Sequence, residues 1–239
     1  RYVSKRAYEL LGDSNAKVVT CHLGNGSSIS AVDAGKCVDT SMGFTPLAGV
    51  LMGTRCGDID ASAVTYLIDN GVIKAEDMAT YLNKKCGFLG VSGVSSDLRE
   101  VEAAAEAGNE QAQKSIDMFY YGVEKYIGAY MVAMGGLDAI VFTAGIGENN
   151  VALRERIMKN FEYLGAKLDP AKNNTRSEAV ISADDSKVKI VVIPTDEEIV
   201  IARDTLCIVT GKENIERLFA LVPSPANGLT LCTGSLGAN

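Results

Sequence analysis

The run AIVFTAGIGEN at residues 139–149 changes character in its middle. Ala139-Ile140-Val141-Phe142-Thr143 is apolar and β-branched, as a short buried strand requires, and Ala144 to Asn149 supplies a glycine turn. Over roughly 151–163 apolar residues recur at helical spacing, so the local order is strand, glycine turn, helix. Val188–Ile193 reads as a second buried strand, and Pro194-Thr195 leads into a helix across 197–205. Upstream, Ala112, Ile116, Phe119, Val123, Ile127, Tyr130 and Met134 recur at three- and four-residue steps, which predicts a central core helix over Asn109–Met134. Lys17–Leu23 and Ser28–Val32 flank Gly24-Asn25-Gly26-Ser27 and predict a β-hairpin, with a third strand near Lys36–Thr40. A short helix over 2–11 ends at Gly12. After the glycine-rich loop Gly43–Gly57, Asp58 is expected to cap a helix through Asn70 with Ile59, Ala63, Tyr66 and Leu67 on one face. Further helices are expected near 75–85 and over Asp97–Ala107. Strands alternating with helices indicate an α/β fold, a mixed sheet flanked by helices.

The 239 residues carry 23 Lys+Arg against 30 Asp+Glu, a net charge of −7, with 47% hydrophobic residues. That composition suits a folded globular chain. An acidic chain without a Lys/Arg-rich run is no nucleic-acid backbone binder, so an anionic ligand has to be met by local donors. No run approaches the roughly 20 apolar residues of a membrane span, and no membrane partner is expected. The six cysteines form no CxxC pair or zinc-ligand spacing and read as reduced thiols, which agrees with a cytoplasmic location. The start, Arg1-Tyr2-Val3, lacks an initiator Met and a signal-peptide core, as expected of a chain that begins inside something longer.

His22-Leu23-Gly24-Asn25-Gly26-Ser27-Ser28 places two glycines at a hairpin tip, where successive N–H groups can form an anion-binding nest. A tight turn explains the same residues. No GxxxxGK[ST] loop occurs, and Asn150 stands where a dinucleotide fingerprint needs its third glycine. Arg55, alone in Met52–Asp58, is open to two readings: a clamp for phosphoryl oxygens, or an ion pair with Asp58 or Asp60. His22 is the single histidine, and a hydrogen-bonded strand-end role competes with a catalytic one. Thr195 and Glu198 form a capping box. Glu197 then remains as a carboxylate beside a strand end, suited to hydrated Mg2+. Asp39 and Asp97 are open to the same part, although turn and cap roles are commoner for Asp.

Four segments in order, His22–Ser28, DTSMGFTPLAGVLMGTRCGDID at 39–60, FTAGIGEN at 142–149 and PTDEEIVIARDT at 194–205, closely resemble the acetate kinase family. The resemblance runs from Arg1 to about Thr205 and implies a ribonuclease H-like/actin-like ATPase fold. It implies that His22, Leu23, Gly24, Asn25 and Gly26 meet the phosphates of ATP. Asp97, Leu98 and Arg99 would add nucleotide contacts, and Gly145, Ile146, Gly147, Glu148 and Asn149 would meet the adenosine. By the same resemblance Arg55 stabilises the phosphoryl group in transit, with His22 and Asn25 contacting its surroundings. Glu197 would help hold Mg2+, and Pro46 would line an apolar wall for the acetate methyl. The implied reaction is ATP and acetate to ADP and acetyl phosphate, reversibly, and the implied assembly is a homodimer. The long helix, with Tyr120, Tyr121 and Tyr130 on more than one face, is the expected dimer contact.

Family members begin with an entire first domain, which contributes a catalytic Asp, a second substrate Arg, a second His and a Mg2+-side Asn. Those groups are missing from this sequence, so residues 1–205 are expected to be the family's second domain, with little or no kinase activity alone. A non-catalytic nucleotide-binding and dimerising module is the alternative, and propionate or butyrate kinase is the neighbouring enzyme, since one methylene is worth only about 1–3 kcal/mol. Ala61 stands where many relatives have Pro. Residues 206–239 read as a divergent, loosely packed tail.

Overall fold

The computed structural model describes residues 2–196 together with 198, 201, 202, 205 and 206. The chain divides into two units, Arg1–Thr195 and Asp196–Asn239, and the elements below belong to the first. The expected helix over 197–205 lies largely outside the described residues, and the tail from 207 onward wholly so.

The sheet is built from β1 (Lys17–Leu23), β2 (Ser27–Asp33), β3 (Lys36–Thr40), β4 (Ala139–Thr143), β5 (Ala179–Val180) and β6 (Lys189–Val192). Its order is β3-β2-β1-β4-β6-β5. β1 pairs antiparallel with β2 but parallel with β4, and β4 is parallel to β6. The three parallel strands therefore end at one edge, at Leu23, Thr143 and Val192.

Helices cover both faces. α1 (Tyr2–Leu11) buries Ala7 against Val18, Ala139, Val141, Val191 and Ile193 on one side. On the other side the alternate residues, among them Val19, Cys21, Leu23, Ile140 and Phe142, join the core of α6 (Glu110–Ala133). The one-residue alternation of the strands sorts these side chains between the two layers. α6 is capped by Asn109, whose side chain accepts from the N–H groups of Gln111 and Ala112, and its inner stripe includes Phe119, Val123 and Ile127, all fully buried. Each such side chain contributes about 1.5–3 kcal/mol by leaving water. Phe88, from α4 (Gly87–Ser92), meets Phe119 edge to face at 5.1 Å.

Several expectations are corrected. The helix after the Arg55 loop, α2 (Ala61–Asp69), is capped by Asp60, which accepts from Ser62 N–H at 2.8 Å. Asp58 is instead drawn into the loop itself, and no α2 residue is buried. α3 (Ala75–Lys84) and α5 (Leu98–Glu106) fall where expected, whereas α4 and β5 were not anticipated, being too short for a periodic signal. The glycine turn after β4 is a helix, α7 (Ala144–Asn149), entered through Ala144 at φ +65°. α8 (Val151–Lys159) stops at Asn160, and residues 162–164 form a 3-10 turn before α9 (Pro170–Asn173). Of the three tyrosines assigned to a dimer contact, Tyr120 and Tyr130 are buried in the core and only Tyr121 is exposed. Cys21, Cys37, Cys56 and Cys86 are free thiols; Cys207 and Cys232 lie outside the described residues. No described helix is long and apolar enough to cross a membrane.

Candidate functional site

Ligands of open α/β sheets sit beyond the carboxyl ends of parallel strands. At that edge the hairpin tip between β1 and β2 is closed by Ser27, whose hydroxyl donates to Gly24 O at 2.9 Å and accepts from Gly24 N–H at 3.2 Å. The N–H groups of Asn25 and Gly26 have no partner among the described residues, so they remain donors for an anion. Three glycines keep the tip open to its neighbours. A Cβ on Gly24 would lie 3.3 Å from Gly26 O, one on Gly26 would lie 3.3 Å from Arg55 Nη1, and one on Gly53 would lie 3.0 Å from Ser96 O. Gly53 N–H also donates to Asn25 O at 3.1 Å. The tip, the Arg55 loop and the start of α5 thus converge.

Arg55 is half-buried. Its guanidinium donates to Pro46 O at 2.9 Å and touches Met52 Sδ, and it makes no ion pair among the described residues. The alternative of a bridge to Asp58 or Asp60 is set aside, because Asp60 caps α2 and Asp58 bonds Gly49 N–H and Tyr126. Most of the guanidinium's donors stay available to a phosphoryl group. Pro46 is exposed beside it. His22, level with Ser28 and Thr143 in the sheet, is half-buried, and its imidazole has no hydrogen-bond partner among the described residues.

Asp97 caps α5 by accepting from Arg99 N–H at 3.0 Å, and the Arg99 guanidinium closes on it at 3.0 and 2.5 Å. That pair holds the Asp97 carboxyl below its ordinary range. Leu98 is buried in the core, so its side chain faces no ligand. In α7, Gly145 is exposed with open space where a Cβ would stand, and Ile146 packs against the core. Gly147 is buried and lies close to Cys21 O. Glu148 accepts from Thr195 N–H at 2.8 Å and from the Thr195 hydroxyl at 3.0 Å. Asn149 bonds back to Gly145 O at 2.7 Å.

One residue behind α7 escaped the sequence reading. Arg154 is completely buried, and its guanidinium donates to Gly147 O, Glu148 O, Asn173 Oδ1, Asn173 O and Thr175 O at 2.7–2.9 Å. It satisfies the orphan carbonyls at the helix end and ties α7 to α9. Burial lowers its pKa. The Thr195 hydroxyl is engaged by Thr143, Ala144 N–H and Glu148, and the helix that Thr195 and Glu198 are expected to cap lies largely outside the described residues.

Glu197 lies outside the described residues. Among those described, no group of three or more His, Cys, Asp or Glu side chains is placed to hold a metal. The cradle is one of N–H donors and an arginine, which fits the phosphates of a nucleotide, whereas Mg2+ would depend on those phosphates and on a carboxylate from elsewhere.

A model of the acetokinase family matches residues 1–203, and one of D-mannonate dehydratase (UxuA) matches residues 171–239. An acetate kinase of Finegoldia magna is 57% identical over 206 residues, covering 86% of this chain and 52% of that protein. The crystal structure of Porphyromonas gingivalis acetate kinase superposes with a TM-score of 0.83 at 46% identity, over 87% of this chain and 53% of the other. A propionate kinase from Francisella tularensis superposes at 0.78 with 44% identity, over 84% and 52%. The chain spans about half the length of the curated relatives it matches.

Proposed function

The chain belongs to the acetokinase family, and on that premise we propose that its sheet-edge cleft is the nucleotide half of an ATP:acetate phosphotransferase site. One observation carries the reading: the N–H groups of Asn25 and Gly26, unpaired among the described residues, lie beside a guanidinium that no described carboxylate neutralises. Phosphoryl transfer depends on positioning and charge stabilisation, and these groups supply both. In this reading the hairpin tip holds the β- and γ-phosphates of ATP while Arg55 gathers charge from the phosphoryl oxygens as an acetate oxygen attacks phosphorus. The P–O bond to ADP breaks as acetyl phosphate forms. His22 donates to the same oxygens, Pro46 borders the acetate methyl, and Gly145 with the start of α7 borders the adenosine. Glu197 would be the carboxylate to help hold Mg2+, which would supply neutralisation of phosphate charge when bound.

Residues 1–205 are then the family's second domain, with 206–239 a separate tail, in a cytoplasmic homodimer. These 239 residues span about half the length of the family members they match, and we expect little or no turnover from them alone. The likeness to a propionate kinase favours a second reading with a longer acyl substrate, discriminated by about 1–3 kcal/mol per methylene.

The test is ADP formation from MgATP with acetate or propionate, alongside Arg55→Ala and a direct titration of MgATP. Binding without turnover supports the half-site reading. Failure to bind MgATP removes it, and turnover that survives Arg55→Ala removes the role given to Arg55.

A further inference from the structure

Arg55 rides on a loop whose two ends are stitched together at the molecular surface. Asp58 N–H donates to Gly49 O at 2.8 Å, and Asp58 Oδ1 accepts from Gly49 N–H at 2.9 Å. The two ends approach so closely at Gly57 that a Cβ there would fall 2.5 Å from Gly49 O. The second carboxylate oxygen of Asp58 accepts from the Tyr126 hydroxyl at 2.7 Å. Tyr126 stands on the long core helix α6 and packs against Tyr130, ring centroids 5.6 Å apart, so it offers the loop a rigid anchor. Burial, and then the bond to Asp58, hold the Tyr126 phenol above its ordinary pKa, keeping the donor proton in place at neutral pH.

We propose that Asp58 and Tyr126 are positioning residues: one carboxylate closes the neck of the 49–58 loop and fastens it to α6, and so sets where Arg55 stands. The importance of that position rests on the reading of Arg55 given above, but the clasp itself is a property of the loop and can be measured without substrate. Neither residue touches the reacting atoms. Thr54 and Cys56, on either side of Arg55, add backbone bonds to Cys86 and Leu82, and Arg55 O accepts from Met52 N–H at 3.2 Å, so releasing the clasp frees the neck at Gly57 and Asp58 first and loosens Arg55 only as far as those bonds allow.

Trypsin cuts after Arg55 only when this loop opens, and the cutting rate follows the open population when reclosing is fast. The measurement is the rate at the Arg55–Cys56 bond in the whole 239-residue chain, divided by the rate at the exposed bond after Lys159 as an internal control. Asp58→Ala should raise the ratio about tenfold and Tyr126→Phe about threefold, the scale of ordinary net hydrogen bonds at a partly exposed site. Asp58→Asn keeps an oxygen for Gly49 N–H and an amide that can donate to Tyr126, and should recover most of the native ratio. An unchanged ratio in Tyr126→Phe, or an equal rise at both bonds, overturns the proposal. Tyr126→Phe removes one oxygen and decides the matter even if Asp58→Ala fails to fold. A chain that bound no ATP would give the same ratios, and its failure would count against the functional reading alone.

Discussion

Two segments meet at the glycine tip of the hairpin, and they are held in opposite ways. α7 is fastened from behind by the buried Arg154 and from the side by Thr195 through Glu148. The 49–58 loop is buried on its inner half, at Val50, Leu51 and Met52, but its neck is closed at the exposed Asp58. Hydrogen bonds in a buried site are costly to open, while exposed ones exchange readily with water. The difference teaches that α7 is built into the core, whereas the neck of the loop that carries Arg55 is held by contacts that cost little to release.

The sharpest way to break that contrast is Arg154→Ala. Removing the guanidinium leaves five oxygen acceptors without their donor, and we expect a loss of about 3 kcal/mol or more in urea unfolding. Arg154→Lys should recover little, because an ammonium lacks the planar fork. A loss under about 1 kcal/mol would mean that water reaches these carbonyls, and α7 would then be no more firmly built than the loop.

Gly57→Ala attacks the other side. Gly57 has φ +71°, and its Cβ would meet Gly49 O at 2.5 Å, so strain and the clash together should cost about 1–3 kcal/mol. Hydrogen exchange at amides 49–58 should quicken far more than in α7; equal acceleration in both would show one cooperative unit rather than two. A smaller effect, about 1 kcal/mol, is expected for Asp97→Ala, which removes the α5 cap. Asp97→Asn keeps the cap acceptor and should retain most of the stability, and a loss as large as that of the alanine variant would assign the effect to the Arg99 pair instead.

The sequence made the sheet and the long helix legible because their signals are regular: β1 and β4 carry apolar runs, β2 alternates polar and apolar residues, and α6 repeats its stripe over 24 residues. The approach of the His22–Gly26 tip to the Arg55 loop could be anticipated only from the family resemblance, since glycine chemistry alone allows a plain turn at the tip and an ion pair at Arg55. What fastens them could not. Arg154 finds Asn173 and Thr175 in a different element, and Tyr126 meets Asp58 across 68 positions, with no local pattern to announce either. The cap was misplaced by two residues because Asp58 and Asp60 are equally good caps locally, and only the approach of Gly49 and Tyr126 distinguishes them. Leu98, which the family resemblance places in a nucleotide-contacting triplet, has its side chain in the core, and no local pattern announces that packing.

The finest test lies where the two anchorages adjoin. Glu102, on α5, accepts from Asn150 Nδ2 at 2.7 Å, and Asn150 in turn caps α8, the helix that carries Arg154. Burial raises the Glu102 carboxyl above its ordinary 4.5, against the opposing pull of the Asn150 bond, with Glu106 and Asp97 adding repulsion. An acid whose folded pKa is raised binds more protons folded than unfolded, so its contribution is fully present below the unfolded pKa and is lost as pH rises through the folded one. Glu102→Gln keeps an oxygen for Asn150 and never ionises. It should match the native chain near pH 4 and exceed it by a few tenths of a kcal/mol at pH 7, solvent screening keeping the gain small. Urea midpoints at the two pH values measure the difference. If the glutamine variant were instead weaker at pH 7, the ionised carboxylate would itself be fastening α5 to α8, and the loop side of the site would share the buried anchorage of α7.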